Sequence, residues 1–292
     1  MKVLILGGTG MLGHQIIKGC ISRNYDWYTT VRNKELLINF FGQGISNRII
    51  EIDDIKNFKQ LREVCMASGA QFIINCIGVV KQSKHASNFL ESISVNSLLP
   101  HILNEICENM NAKLIHISTD CVFDGAKGLY NEDDISNAYD IYGKSKFLGE
   151  VNYGNSMTLR TSIIGNEITQ NTHGLIDWFL VQKRSVSGYK KAIFSGVTTF
   201  ELTKIILDVI LPKYFSVGLF QIASKPISKY DLLNIVARVY NKDIEIVESQ
   251  ELMIDRSLSP SKFFSLTNYS PPEWDLQINQ MKENSEENVT IK

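Results

Sequence analysis

A chain of 292 residues can form either two small domains or one large α/β domain that carries an additional lobe. Because 44% of its residues are hydrophobic and 21% are charged, it can bury a substantial core without disulfide bonds or a membrane. Its 30 Lys and Arg residues nearly balance 31 Asp and Glu residues, which excludes the broad basic surface typical of nucleic-acid-binding proteins and favours a small-molecule partner.

The first half of the chain alternates apolar runs of strand length with segments of helical periodicity. This pattern predicts a parallel sheet covered by helices on both faces. The predicted strands cover residues 2–6, 27–31, 49–52, 72–77, 114–117 and 158–161. The predicted helices cover residues 12–23, 58–67, 89–110 and 142–151. Pro100 is expected to begin a new segment or to kink the third helix.

The second half is less regular and mixes both element types. Its patterns predict helices over 174–182, 199–211 and 229–240 and strands over 219–223 and 244–247. We interpret this material as a smaller α+β lobe that is interleaved with the first domain. The predicted fold is an α/β Rossmann-type, doubly wound parallel sheet over residues 1–165, a C-terminal substrate lobe over 166–281 and a frayed polar tail over 282–292.

The cysteines and histidines show no metal-ligand spacing. The cysteines are odd in number and scattered, which predicts a reducing compartment and hence a cytoplasmic protein. The apolar N-terminal segment lacks a signal-peptide cleavage site, and no apolar run reaches the ~18 residues that span a bilayer. We therefore expect no metal and no membrane segment. The residues concerned are Cys20, Cys65, Cys76, Cys107, Cys121, His14, His85, His101, His116 and His173.

A glycine-rich segment joins the first predicted strand to the first predicted helix. Its spacing is G-x-x-G-x-x-G, with Gly7 at the tight turn, Gly10 where the backbone can approach a pyrophosphate and Gly13 where helix and strand pack closely. The amides and the positive dipole end of the helix would bind the phosphates. The alternative is a glycine-rich connection without a ligand.

The end of the second strand bears on which nicotinamide cofactor binds. An acidic residue there would bind the adenosine ribose diol, whereas a basic residue would meet a 2′-phosphate. Arg32 occupies this place, and the segment from Thr29 to Lys34 contains no carboxylate. The sequence therefore favours NADP(H) over NAD(H), unless Arg32 is only a solvated loop residue.

A tyrosine and a lysine four residues apart, Tyr142 and Lys146, share one face of a predicted helix. A nearby ammonium lowers the pKa of a phenol, which lets the phenol exchange a proton with a carbonyl or alcohol oxygen. Thr119 follows the preceding strand, at the sheet edge where open α/β sheets bind ligands, and can hydrogen-bond the same oxygen. Most Tyr–Lys pairs are surface neighbours, so the site depends on all three residues together.

These motifs resemble those of the extended short-chain dehydrogenase/reductases, and among them the dTDP-4-dehydrorhamnose reductase group. STDxVFDG followed by YGxxK is typical of the sugar-nucleotide reductases, and the resemblance is clear over residues 1–165. The matching segments are GGTGMLG at 7–13, Asp54-Ile55, Asn75-Cys76-Ile77-Gly78, STDCVFDG at 118–125, YGKSK at 142–146 and LRTSIIG at 159–165.

The resemblance implies NADP(H) as cofactor, Tyr142 as the proton donor and Lys146 as the residue that holds the nicotinamide ribose and lowers the tyrosine pKa. It also implies that Thr119 and Asp120 assist at the substrate carbonyl. The implied cofactor contacts are Gly7, Thr9, Gly10, Met11, Leu12 and Gly13 at the phosphates, Asp54 and Ile55 at the adenine, and Cys76, Ile77 and Gly78 at the inner ribose, with Ser118, Tyr142 and Lys146 as further contacts.

One departure from the family pattern concerns Cys121, which replaces the usual aromatic residue after Ser-Thr-Asp. It resembles the cysteine of bifunctional 3,5-epimerase/4-reductases that make UDP-rhamnose. Counting back without gaps from the predicted helix start at Thr198 places Lys183 at the position of a lysine of that group. A thiolate beside a 4-ketone could remove the C3 proton while a lysine acts as the acid. The alternative is a small buried Cys121 and a solvated Lys183.

Three hypotheses about function follow. The first is NADPH-dependent reduction of C4 in a UDP- or dTDP-linked 4-keto-6-deoxyhexose, with a 2-acetamido sugar left open. The second adds C3 epimerisation, as in the synthesis of UDP-L-rhamnose or UDP-L-rhamnosamine. The third is a non-catalytic NADP-binding regulatory subunit. The resemblance is compatible with a monomer or a homodimer, and the sequence predicts no nucleic-acid partner.

Overall fold

The computed structural model describes residues 1–80, 88–168 and 174–287. The strands are β1 Lys2–Leu6, β2 Asp26–Val31, β3 Ile49–Glu51, β4 Phe72–Asn75, β5 Lys113–Thr119, β6 Ser156–Thr161, β7 Ile163–Ile164, β8 Ser185–Tyr189, β9 Ala192–Phe194, β10 Val197–Thr198, β11 Gly218–Gln221, β12 Ile227–Ser228, β13 Glu245–Ser249 and β14 Ile254–Asp255. The helices are α1 Met11–Ser22, α2 Glu35–Phe41, α3 Phe58–Ser68, α4 Phe89–Ser92, α5 Leu99–Met110, α6 Ile141–Leu148, α7 Leu175–Val181, α8 Thr199–Lys204, α9 Lys229–Val239, α10 Ser261–Thr267 and α11 Trp274–Glu286.

The main sheet has seven strands in the order β11-β6-β5-β4-β1-β2-β3, and every neighbouring pair is parallel. From β3 to β6 this is the Rossmann strand order, in which the chain reverses direction across the sheet between β1 and β4. The prediction of a doubly wound parallel sheet is therefore confirmed.

The sheet separates two hydrophobic cores. Along β1, Val3 and Ile5 belong to one core and Leu4 and Leu6 to the other, as the two-residue period of a strand requires. All four side chains are fully buried. The first core is covered by α1, α8 and the π-helical segment Ile205–Tyr214, and the second by α3 and α5. Burial on both faces explains why these strands are continuously apolar in sequence.

The remaining elements form a smaller α+β lobe with a core of its own. In this lobe β9 pairs with β12 and β14, and β8 pairs with β13. Side chains from α7, α9 and α11 pack together over these strands. The second half of the chain also contributes one strand to the large sheet, since β11 pairs with β6.

The helix predicted over 89–110 is divided as Pro100 suggests. A π-helical segment, Ile93–Leu98, joins α4 to α5, and Pro100 lies in the first turn of α5, where a missing N–H removes no helical hydrogen bond. The helix predicted over 199–211 likewise begins as α8 and continues as the π-helical segment Ile205–Tyr214.

Three helices were not predicted, namely α2, α10 and α11. The expectation of a frayed tail from Lys282 is wrong for its first residues, because α11 continues through Glu286. It packs on the lobe through Trp274, Ile278 and Met281, and this burial stabilises a segment that is otherwise polar. The last five residues of that predicted tail lie outside the described part of the chain.

Gly13 provides a prediction about stability. A Cβ at this position would lie 2.1 Å from the carbonyl oxygen of Gly7 and 3.0 Å from the Cα of Gly8, so no rotamer change can relieve the overlap. We expect Gly13→Ala to separate α1 from the glycine turn and to lower the free energy of unfolding by about 1–3 kcal/mol, measured by chemical denaturation. Gly10→Ala is the matched control, because its Cβ would lie 3.3 Å from the same oxygen. Equal stability of Gly13→Ala and the unchanged protein would contradict this packing role.

Candidate active site

Two adjoining cavities lie at the carboxyl ends of the strands, where the sheet reverses direction between β1 and β4. The inner cavity, of about 600 Å³, is bounded by Thr119, Tyr142 and Lys146, and the outer cavity, of about 670 Å³, by Asp54 and Ile55. Their shared lining consists of Thr9, Gly10, Arg32 and residues 76–80. Open α/β sheets bind ligands at this reversal point, so the cavities are the candidate site.

The glycine turn forms the floor between the two cavities. Gly7 has a φ of 87°, which lets the amides of Gly7 and Gly8 both donate to the carbonyl of Thr30 and fixes the turn. No side chain of the described residues caps the N-terminus of α1, and the first amides of a helix have no acceptor within it. Gly10 is exposed here. The turn therefore offers backbone donors and a positive dipole end to an anion.

The outer cavity contains the residues expected at an adenosine. Arg32 is exposed, lines both cavities and makes no ion pair within the part of the chain that the structure describes. Asp54 accepts a hydrogen bond from the amide of Lys56 at 3.0 Å, and Ile55 supplies an apolar wall. Asp53, which sequence reasoning did not single out, lines the same cavity.

The inner cavity brings Thr119, Tyr142 and Lys146 together. Asp140 caps α6 by accepting from the amide of Gly143 at 2.8 Å, so Tyr142 and Lys146 face the cavity from its first two turns. A Cβ on Gly143 would lie 2.2 Å from the carbonyl oxygen of Cys121. The absence of a side chain at Gly143 therefore lets α6 approach the end of β5.

Burial is the largest cause of the pKa shifts of Tyr142 and Lys146. It raises the pKa of the Tyr142 phenol well above its usual range, and a hydrogen bond with Thr119 opposes that shift. It lowers the pKa of Lys146 to about 8, a shift that the carboxylate of Glu150 opposes. Lys146 donates to the carbonyl of Ile117 at 2.6 Å. The net shift keeps the phenol protonated at neutral pH, and the expectation that Lys146 lowers the tyrosine pKa stays a prediction.

Cys121 also lines the inner cavity, but its thiol is not activated. Burial raises its pKa to about 12 and the carboxylate of Asp120 adds to the shift, which Arg256 opposes. A guanidinium nitrogen of Arg256 lies 3.8 Å from Sγ, and its Nε donates to the carbonyl of Phe123 at 2.7 Å. Lys183 is exposed after α7 and lines neither cavity. The structure does not bring the predicted cysteine–lysine pair together.

Residues 1–250 match the family model described as the RmlD substrate binding domain. The chain belongs to the RmlD substrate binding domain family. The dTDP-4-dehydrorhamnose reductase of Aggregatibacter actinomycetemcomitans is 27% identical over 241 residues, which are 79% of this chain and 76% of that protein. The methionine adenosyltransferase 2 subunit beta of Danio rerio is 29% identical over 154 residues, 51% of this chain and 42% of that protein.

The fold is shared with solved members of this group. The structure of dTDP-4-dehydrorhamnose reductase from Bacillus anthracis in complex with NADP superposes with a TM-score of 0.77 at 20% identity and covers 97% of each chain. The resemblance to the RmlD group expected from the motifs is thereby confirmed.

Most residues predicted for an RmlD-family site lie in the two cavities. Gly13 is an exception, because it is buried and lines neither cavity, and its role is in packing. The predicted residues in the inner cavity are Thr9, Gly10, Met11, Leu12, Arg32, Cys76, Ile77, Gly78, Ser118, Thr119, Asp120, Cys121, Tyr142 and Lys146, and the outer cavity adds Gly7, Asp54 and Ile55.

Sequence reasoning missed a buried ion pair behind this RmlD-family site. Arg160 donates two 2.7 Å hydrogen bonds to the carboxylate of Glu150, and the hydroxyl of Ser118 donates a third at 2.7 Å. Both side chains of the pair are almost completely buried. The signal was an arginine within a strand that was predicted to lie inside the sheet, since a buried charge requires a partner.

The remaining predictions concern metal binding, the histidines and membrane-spanning helices. No group of three His, Cys, Asp or Glu residues in the described ranges could hold a metal ion. His116 is buried beside Asn75, its ring nitrogen 3.1 Å from the amide nitrogen, and burial holds its pKa well below the usual range. His85 and His173 lie outside the described residues. Among helices in the described ranges, none has the length and apolar character needed to cross a membrane.

Proposed function

We propose that this chain is an NADPH-dependent reductase that converts the 4-keto group of a nucleotide-linked 4-keto-6-deoxyhexose to a hydroxyl group. The proposal rests on one observation. The inner cavity is lined by Thr119, Tyr142 and Lys146, and it continues over the glycine turn into the outer cavity. The name of the Aggregatibacter relative favours dTDP over UDP as the nucleotide.

The residues present fit a dinucleotide cofactor. A side chain cannot be added at Gly13 without displacing the turn, and Gly10 leaves the first amides of α1 open to a pyrophosphate. Arg32 offers a guanidinium to a 2′-phosphate, and Ile55 packs where an adenine would lie. When bound, NADPH supplies the hydride that reduces C4.

In the proposed reaction, residues of this chain would act on the oxygen atom attached to C4. Tyr142 would donate its phenolic proton to this oxygen as negative charge develops there, and its raised pKa keeps that proton available at neutral pH. Thr119, buried at the end of β5, would orient the same oxygen through its hydroxyl. Lys146 is charged below its pKa of about 8 and would hold the cofactor ribose.

Reduction without epimerisation is the form of the activity that we propose. A cysteine base needs a thiolate, whereas burial raises the pKa of Cys121 to about 12. Lys183, its expected partner, is exposed and lines neither cavity.

A regulatory subunit remains a second candidate because the methionine adenosyltransferase 2 subunit beta of Danio rerio is similar over half of this chain. The two candidates differ in whether the protein reduces a keto-sugar nucleotide. A reductase should oxidise NADPH, followed by absorbance, when supplied with dTDP- or UDP-linked 4-keto-6-deoxyhexoses, with and without a 2-acetamido group. Tight NADPH binding without oxidation on the whole panel would reject the reductase and support the subunit.

Arg32 provides a test of cofactor choice. Arg32→Ala should weaken NADPH binding by about tenfold to a hundredfold, because a charge-assisted contact to the 2′-phosphate is lost, and should change NADH binding little. Fluorescence titration measures both affinities. Lys34→Ala is the matched control, since Lys34 is exposed and pairs with Glu51 at 3.6 Å. Equal losses for NADPH and NADH in Arg32→Ala would argue against 2′-phosphate recognition.

A further inference from the structure

The substrate lobe contributes a lysine to the inner cavity that no motif indicated. Lys229 is the first residue of α9, is half-buried and lines the cavity together with Phe194 of β9. Its Nζ lies 4.2 Å from the centre of the Phe194 ring. An ammonium that lies on an aromatic face is attracted to the ring electrostatically, so its N–H groups can still donate hydrogen bonds to a ligand in the cavity.

Asp120 lies within electrostatic reach of Lys229. Burial lowers the pKa of Lys229, and the carboxylate of Asp120 is the first group that opposes this shift. The two nevertheless form no ion pair within 4.0 Å in the described part of the chain. A gap in the inner cavity therefore separates the half-buried ammonium of Lys229 from the carboxylate of Asp120, which lines the same cavity.

A hydroxyl group suits such a gap. It can donate to a carboxylate and accept from an ammonium at the same time, which a protonated amine, a methyl group or a carbonyl cannot do. Asp120 accepts a 3.1 Å hydrogen bond from the hydroxyl of Thr119. The gap thus lies close to the residue that we expect to orient the reacting carbonyl.

We propose that Lys229, Asp120 and Phe194 form the subsite for the hexose ring, and that Lys229 and Asp120 bind the hydroxyl on the carbon next to the reacting one. This inference rests on the proposed function and adds to it a requirement in the substrate, a free hydroxyl at C3. Phe194 holds the ammonium of Lys229 against its ring, 4.2 Å from the ring centre, and Lys229 acts as a specificity residue.

The test uses binding to the NADP-loaded protein, measured by calorimetry. dTDP-rhamnose should bind about tenfold to a hundredfold more tightly than its 3-deoxy analogue, as expected for a hydrogen bond to charged groups. Lys229→Met should lose most of this difference and leave the affinity for dTDP unchanged. Lys225→Met is the matched control, because Lys225 is exposed and does not line the cavity.

The outcomes separate this subsite from the proposed function. If the unchanged protein binds dTDP- and UDP-rhamnose no better than the free nucleotides, the proposed function fails and the subsite with it. If it binds the sugar but does not distinguish the 3-deoxy analogue, or if Lys229→Met distinguishes them as well as the unchanged protein does, the subsite alone is overturned. The analogue comparison in the unchanged protein needs no variant and is independent of any folding defect.

Discussion

Replacing Tyr142 with Phe should lower kcat for the keto-sugar nucleotide by about 10²–10⁴-fold, because the group that protonates the C4 oxygen is removed. The affinity for NADPH should change little, since the ring that lines the inner cavity is kept. Steady-state kinetics gives kcat, and fluorescence titration gives the NADPH affinity.

Tyr139→Phe is the matched control for this variant. Tyr139 lies three residues before Tyr142 and is 82% exposed, so loss of its hydroxyl should leave kcat unaltered. If the Tyr142→Phe protein turns over at the rate of the unchanged protein, Tyr142 is not the proton donor.

The second large effect concerns stability. Glu150→Gln should lower the free energy of unfolding by about 3–5 kcal/mol, because it leaves the buried guanidinium of Arg160 without its counter-charge. Arg160 is 2% exposed and its Nη1 atom has no hydrogen-bond partner among the residues that the structure describes, so the charge cannot reach water. Chemical denaturation measures the loss.

The double variant Glu150→Gln with Arg160→Met should recover much of this stability, since it removes the stranded charge. The comparison variant is Glu273→Gln, which breaks an exposed pair with Lys225 and should cost less than about 1 kcal/mol. Equal losses for Glu150→Gln and Glu273→Gln would mean that the buried pair contributes no more than a surface pair.

The Rossmann domain was predictable because its signals are local. A strand, a glycine turn and a helix follow one another within residues 2–22, and burial on both sheet faces leaves apolar runs at strands such as β1 and β4. Tyr142 and Lys146 were likewise found through a spacing within one helix. Gly143 shows what such a spacing does not reveal, since its importance depends on close packing against the backbone carbonyl of Cys121.

The substrate lobe was predicted less well because tertiary contacts determine it. The polar helix α11 is stabilised by packing of Trp274, Ile278 and Met281, a spacing of one helical face that a closer reading could have found. Lys183 was chosen by gap-free counting from a helix start, whereas the lysine in the cavity is Lys229. Likewise, helical spacing suggested a lowered tyrosine pKa, while burial of Tyr142 raises it.

In the proposed reaction, the two cavities hold a hydride donor and a C4 ketone together. This arrangement can be tested by incubating the protein with dTDP-4-dehydrorhamnose and with NADPH that carries deuterium at the transferable position, and by analysing the product by mass spectrometry and NMR. We expect a product with deuterium at C4 and stoichiometric oxidation of the cofactor. A product without deuterium at C4, or no oxidation above the rate of a protein-free control, would contradict it.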